Sequence, residues 1–178
     1  MLLSEYQGDT RVKSAIRDLR KTLGTIRKGL MLYDNDLSLG WTCTDGIDYT
    51  FPSDATIAPH GRLIIARNIA AFDHRYGFSA GVLGPFENDT KLKNSGERLQ
   101  LGKPGDIDEN MVRQYIRIDR VTYSDGTHPD DGTDLWPTGP DGNDPDQDGY
   151  GQSLTKIDLE HYGNDPDEWE GQPHSPGL

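Results

Sequence analysis

The feature that most constrains this chain is a period-two alternation inside Gly40–Ala66, the stretch GWTCTDGIDYTFPSDATIAPHGRLIIA. Ile47, Tyr49 and Phe51 fall on one side of an extended backbone, and Asp48 and Thr50 on the other. Alternation of this kind buries one face and wets the other, the pattern of a half-buried antiparallel strand. Pro52 ends the strand, because it lacks the N–H that a ladder needs. Ser53, Asp54, Pro59, His60 and Gly61 then supply turns before a second apolar run, Leu63 to Ala66. The unit is expected to be strand, loop, strand, with Trp41 as a large core plug at its start.

The same signals continue downstream. Asn68 to Tyr76 has Ile69, Phe72 and Tyr76 on one face of a short helix that Gly77 ends, with His74 on the polar side. Asn94-Ser95-Gly96 is a turn, with positive φ available at Gly96, and it feeds a strand that carries Leu99 and Leu101. Residues 102–110 are polar and predict a loop, and Met111 to Tyr123 predicts a long strand. Within that strand Ile116 and Ile118 share one phase and Val121 and Tyr123 the other, so a bulge is expected at Asp119–Arg120. Residues 124–151 are rich in Asp, Gly, Pro and Thr and predict a long loop. Gln152 to Asp158 returns as a short strand, and the residues after Glu160 form an extended tail with Trp169 as its anchor. The expected core is Trp41, Ile47, Tyr49, Phe51, Ile57, Leu63, Ile65, Phe72, Leu99, Leu101, Ile118, Val121 and Tyr123.

Composition permits only a modest core. Of 178 residues, 33% are hydrophobic, and Gly (21) and Pro (11) are frequent, which suits one turn-rich domain with poorly packed ends. The formal charge of −12 argues against nucleic acid as a partner. That charge is uneven: residues 1–30 hold seven Lys/Arg against three acids, whereas residues 123–178 hold fourteen acids and one base, Lys156. Val12, Ile16, Leu19, Leu23 and Ile26 recur at helical spacing among the basic residues, which predicts an amphipathic helix over 10–28. Its stripe has three readings: packing on the sheets, recruiting a partner, or lying on a membrane surface. The single cysteine, Cys43, forms no intramolecular disulfide and reads as a small hydrophobe in a core strand. No run reaches membrane-spanning length, and residues 1–13 lack the apolar core of a secretory signal.

Three later pieces follow the Gly40–Ala66 stretch in a definite order. They are LKNSGERLQL at 92–101, IDRVTY at 118–123, and Trp136-Pro137 followed by Ser153-Leu154. Together they resemble the lamin tail domain family over roughly residues 36–158, as their order and spacing follow its pattern. The resemblance implies an all-β fold, an immunoglobulin-like β-sandwich. To this the chain adds an N-terminal amphipathic helix (1–34) before the sandwich (35–158), and an extended acidic C-terminal tail (159–178). The family's opening strands are echoed by Leu2-Leu3-Ser4-Glu5 and Leu30-Met31-Leu32-Tyr33, but the usual glutamate is missing there, which implies an atypical or truncated N-terminus. By resemblance the chain is a non-catalytic module for protein–protein contact or surface assembly, and part of a larger secreted bacterial protein. Its partner is then another protein, or other domains of that larger protein. Its place is extracellular or at the cell surface, with the cytoplasm as the alternative. No catalytic residues and no required cofactor come with the family.

Two features are candidate sites. Asp141, Asn143, Asp144, Asp146 and Asp148 lie in a run whose Asp144-x-Asp146-x-Asp148-Gly149 matches the first half of a calcium loop. Alternate carboxylates in a tight turn converge their oxygens on a hard cation such as Ca2+, and the glycine permits the bend. The match then stops: Thr155 stands where the bidentate Glu belongs, and Pro145 stiffens the turn, so an unliganded acidic loop is the competing reading. Trp136 and Trp169 stand in polar surroundings, either as a contact surface or as loop anchors folded back on the sheets. Hydrolase chemistry has no support. The five histidines lack metal-ligand spacing, Gly151-Gln-Ser153 lacks a nucleophile elbow, and Glu97 and Arg98 read as cross-strand partners.

Overall fold

The structure is a computed structural model that describes residues 29–93, 95–124, 135–137, 152–158 and 161–173. Strands hold 46% of these residues and helix 9%, so the fold is mostly β. The helix expected over 10–28 and the strand echo at 2–5 lie outside the described residues.

The alternating stretch folds as its pattern requires. Ile47, Tyr49 and Phe51 are buried and Thr50 is exposed. The Tyr49 and Phe51 rings meet edge to face with centroids 5.2 Å apart, an arrangement that the ring quadrupole favours. Trp41 is buried beside them. Strand β4 (Thr42–Asp45) pairs antiparallel with β5 (Tyr49–Thr50), and Pro52 lies just past the end of β5.

The deepest side chain is Leu32, at 1% exposure, which the alternation had not marked as core. Strand β1 (Leu30–Met31) pairs with β6 (Thr56–Ile57), and β2 (Tyr33–Asp34) pairs with β3 (Leu39–Gly40). Leu32 sits at the change of partner. Its N–H donates to the Ala55 carbonyl at 2.9 Å, and its own carbonyl accepts from Trp41 N–H at 3.0 Å. Both backbone groups stay bonded while the strand changes neighbours, so the burial of Leu32 leaves neither its own N–H nor its own carbonyl unpaired. Among the described residues β structure is present from Leu30 onward, within the span 1–34 expected to be a helical extension. Ala55, Ala66 and Val82 complete the buried set, and Leu30, Cys43, Ile57, Leu63, Ile65, Leu83 and Leu101 pack partly buried on the central cluster.

Strand β7 (Ile64–Ile65) runs parallel to β8 (Val82–Leu83), and helix α1 (Ile69–Tyr76) lies between them in sequence. Asn68 caps α1 by accepting from Ala71 N–H at 2.9 Å, and Gly77 ends it at φ 75°. No residue of α1 is buried. Phe72, expected in the core, instead meets the rings of Tyr76 and Phe78 at 4.7 and 5.3 Å.

Strands β9 (Gly96–Ile107) and β10 (Arg113–Ser124) form a long antiparallel hairpin, giving the sheet order β10-β9-β4-β5. Gly96 adopts φ 107°, and a Cβ there would meet the Tyr123 carbonyl oxygen at 2.4 Å, so the position requires glycine. The loop expected over 102–110 is strand as far as Ile107. Strand β4 pairs only with Leu99–Gly102, so at Pro104 β9 has a neighbour on one side alone, where proline is tolerated. The register slips between Arg117 and Asp119, one residue before the expected bulge, and again between Arg113 and Tyr115. Ile118 is the residue left over at the first slip, and it is exposed rather than core. Arg98 bridges to Asp45 at 2.9 Å, and the Tyr123 hydroxyl donates to the Lys93 carbonyl at 2.7 Å and to Glu97 at 3.3 Å, so both predicted cross-strand residues find partners.

Candidate contact surfaces

Residues expected to trail away as a tail are, over Trp169–Pro173, strand β12, paired antiparallel with β11 (Gln152–Lys156). Trp169 stands opposite Lys156, and two residues on along the same face Gly171 stands opposite Leu154. The structure brings the two predicted tryptophans together. Their ring centroids are 5.9 Å apart with planes inclined at 45°, and both residues are half-buried. The indole N–H of Trp169 donates to the Gly163 carbonyl at 3.0 Å. Each ring thus anchors the other, while Leu135, Ile157 and Tyr162 nearby in sequence are exposed.

The segment before β12 fastens this hairpin to the outer edge of β10. Asn164 Oδ1 accepts from Thr122 N–H. Gly163 is buried there, so close that a Cβ would lie 3.2 Å from Asp119 Oδ1. Covering the free edge of a terminal strand removes a template for unwanted pairing. The segment is braced by polar contacts. His161 Nδ1 lies 2.6 Å from Glu168 Oε1, His161 Nε2 lies 3.8 Å from Asp158, and Lys156 Nζ donates to the His161 carbonyl at 2.6 Å. The hydrogen bond and negative charge of Glu168, reinforced by Asp158, raise the His161 pKa above its ordinary value.

The opposite edge is closed differently. Strand β5 ends the sheet, and Glu87 reaches it from the segment after β8. One carboxylate oxygen accepts from Thr50 N–H at 3.0 Å and the other from the Thr50 hydroxyl at 3.3 Å. Asp48 and Glu87 form an isolated bridge beside it.

A second surface went unseen in the sequence. Beyond the end of β4, the β9–β10 hairpin exposes Ile107, Val112 and Ile116, with Met111 at 81% on its turn. The turn itself is rigidly made. Asp108 N–H donates to the Val112 carbonyl, and the Asp108 carboxylate accepts from the N–H groups of Asn110 and Val112, all at 2.9 Å. Apolar Met111 and Val112 inside a polar turn were the available signal, because exposed apolar clusters mark contact sites.

Asp141, Asn143, Asp144, Asp146 and Asp148 lie outside the described residues. Among the described residues, no group of three or more His, Cys, Asp or Glu is arranged to hold a metal, and no helix is long and apolar enough to cross a membrane. Cys43 is partly buried, and desolvation pushes its thiol up to about 11, the behaviour of a packed hydrophobe rather than a nucleophile. No protein-family model, no curated protein and no solved structure matches the chain.

Proposed function

We propose that this chain is a non-catalytic protein-contact module of the lamin tail type, an immunoglobulin-like β-sandwich that serves as part of a larger secreted protein at the cell surface. The observation that carries the contact reading is the apolar end of the β9–β10 hairpin, where Met111 and Val112 are exposed on a well-braced turn and Ile107 and Ile116 are exposed on the two strands that lead to it. An exposed apolar cluster costs solubility unless something covers it, so its occupant is a protein surface. The Trp136–Trp169 pair, with Leu135 and Tyr162 exposed nearby in sequence, offers a second patch on the same footing. The test is a Met111→Glu, Ile116→Glu variant assayed for binding to an identified partner protein. Loss of binding at unchanged circular dichroism supports the reading, and full retention removes the hairpin tip from it.

Calcium binding is the second reading. The run Asp141–Asp148 lies between Trp136-Pro137 and β11, and both flanks are held in the structure, Trp136 by Trp169 and β11 by β12. A ligand that binds only the folded state raises its melting temperature. A melting temperature that does not move at millimolar calcium removes this reading.

A further inference from the structure

A cleft of about 350 Å³ is lined by Arg67, Asn68, Pro85, Phe86 and Asp89. Its origin is topological. Strands β7 and β8 are parallel, with Ile64 opposite Val82 and Ile65 opposite Leu83, and Ala66 N–H donates to the Leu83 carbonyl at 2.8 Å. Two parallel strands end at the same edge, so the residues that leave them emerge side by side. The volume lies at the lower end of small-molecule pockets.

The chemistry of the walls is mixed. Pro85 and Phe86 supply the apolar part of the lining. Arg67 Nη2 meets Asp89 Oδ1 at 2.7 Å, a single contact with a carboxylate that is 92% exposed. Arg67 holds the Asp89 carboxyl below the usual carboxylate range. An ion pair this exposed contributes little, because water screens it, whereas a guanidinium that grips a carboxylate through two parallel N–H bonds binds it more strongly. Asp89 is therefore an exchangeable occupant of Arg67. Asn68 commits its Oδ1 to Ala71 N–H, which leaves its Nδ2 donors without a partner among the described residues.

We propose that this cleft binds a small organic carboxylate, whose carboxylate group takes the Arg67 guanidinium in place of Asp89 and whose apolar body lies on Pro85 and Phe86. The Asn68 amide supplies a further donor to the incoming oxygen. The site requires both an anionic head and an apolar body, so neither part alone suffices.

Phenylacetate is the probe, with 2-phenylethanol as the uncharged control and inorganic phosphate as the anion without an apolar body. Binding is read from saturable shifts of backbone amide resonances. Phenylacetate is expected to shift Arg67, Asn68, Phe86 and Asp89 at millimolar concentration, and the two controls are not. Arg67→Gln weakens binding about tenfold or more, as expected for the loss of a charge-assisted contact. Asp89→Asn tightens it severalfold, because the competing carboxylate is gone, and misfolding cannot produce that gain. Absence of saturable shifts, an equal response to phosphate, or weaker binding by Asp89→Asn would each overturn the proposal.

Discussion

Replacing Trp136, Trp169 and then both by alanine measures what holds the β11–β12 hairpin in place. Trp169 loses three things on truncation. Its ring contact with Trp136, at 5.9 Å, contributes about 0.5–1.5 kcal/mol beyond area burial. Its indole hydrogen bond to Gly163 contributes a net ~0.5–1.5 kcal/mol. Half-burial of a large indole, roughly 100 Å² of apolar surface, adds at most about 2.5 kcal/mol. Trp169→Ala should therefore cost about 3–4 kcal/mol, and Trp169→Phe, which keeps a ring and loses the donor, about 1 kcal/mol. The double variant should fall short of the summed single losses by about 0.5–1.5 kcal/mol, the coupling between the rings. Urea unfolding is followed by circular dichroism and by the fluorescence of Trp41, which stays in every variant and is 4% exposed. A coupling below about 0.3 kcal/mol would refute the packing of one indole on the other. Unchanged stability with loss of partner binding would instead make the tryptophans contact residues and not anchors.

Three more outcomes are expected. Leu32→Ala should cost about 2–5 kcal/mol, near the top of that range because the site is enclosed on all sides, and it should lower the melting temperature by about 3 °C per kcal/mol; a loss under 1 kcal/mol would place Leu32 outside the core. The His161 pKa is raised in the folded state, so its contribution to docking of the β12 segment is fully present below pH ~6.5 and is lost as pH rises through the raised value. The protection factors of residues 161–168, that is, exchange divided by the intrinsic base-catalysed rate, should accordingly fall as pH rises through that raised value, and His161→Gln should abolish this fall; protection that is pH-independent in the wild type would contradict the Glu168 pairing. Cys43, with its thiol pushed up to about 11, should resist thiol reagents at pH 8 in the native protein and react on unfolding.

Much of the molecule is legible one residue at a time. Wherever a segment has one wet and one dry face, the period of its apolar residues is enough. That is how Ile47, Tyr49 and Phe51, the short helix from Ile69 to Tyr76 with Gly77 as its stop, and the glycine at Gly96 are read. These depend on dihedral preference and on the two-residue or 3.6-residue repeat, which are local properties. Leu32, the strand through Gly102 and Pro104, the pairing of β12 with β11, and the meeting of Trp136 with Trp169 are not local. Leu32 is deepest because its strand changes partner there, and Ile118 is exposed because the register slips beside it. The Arg67 cleft exists because two strands far apart in sequence run parallel and end together. Local chemistry determines which way a side chain faces along its own segment. Only the closure of distant segments on one another decides which of those faces meets a neighbour and which is left to water.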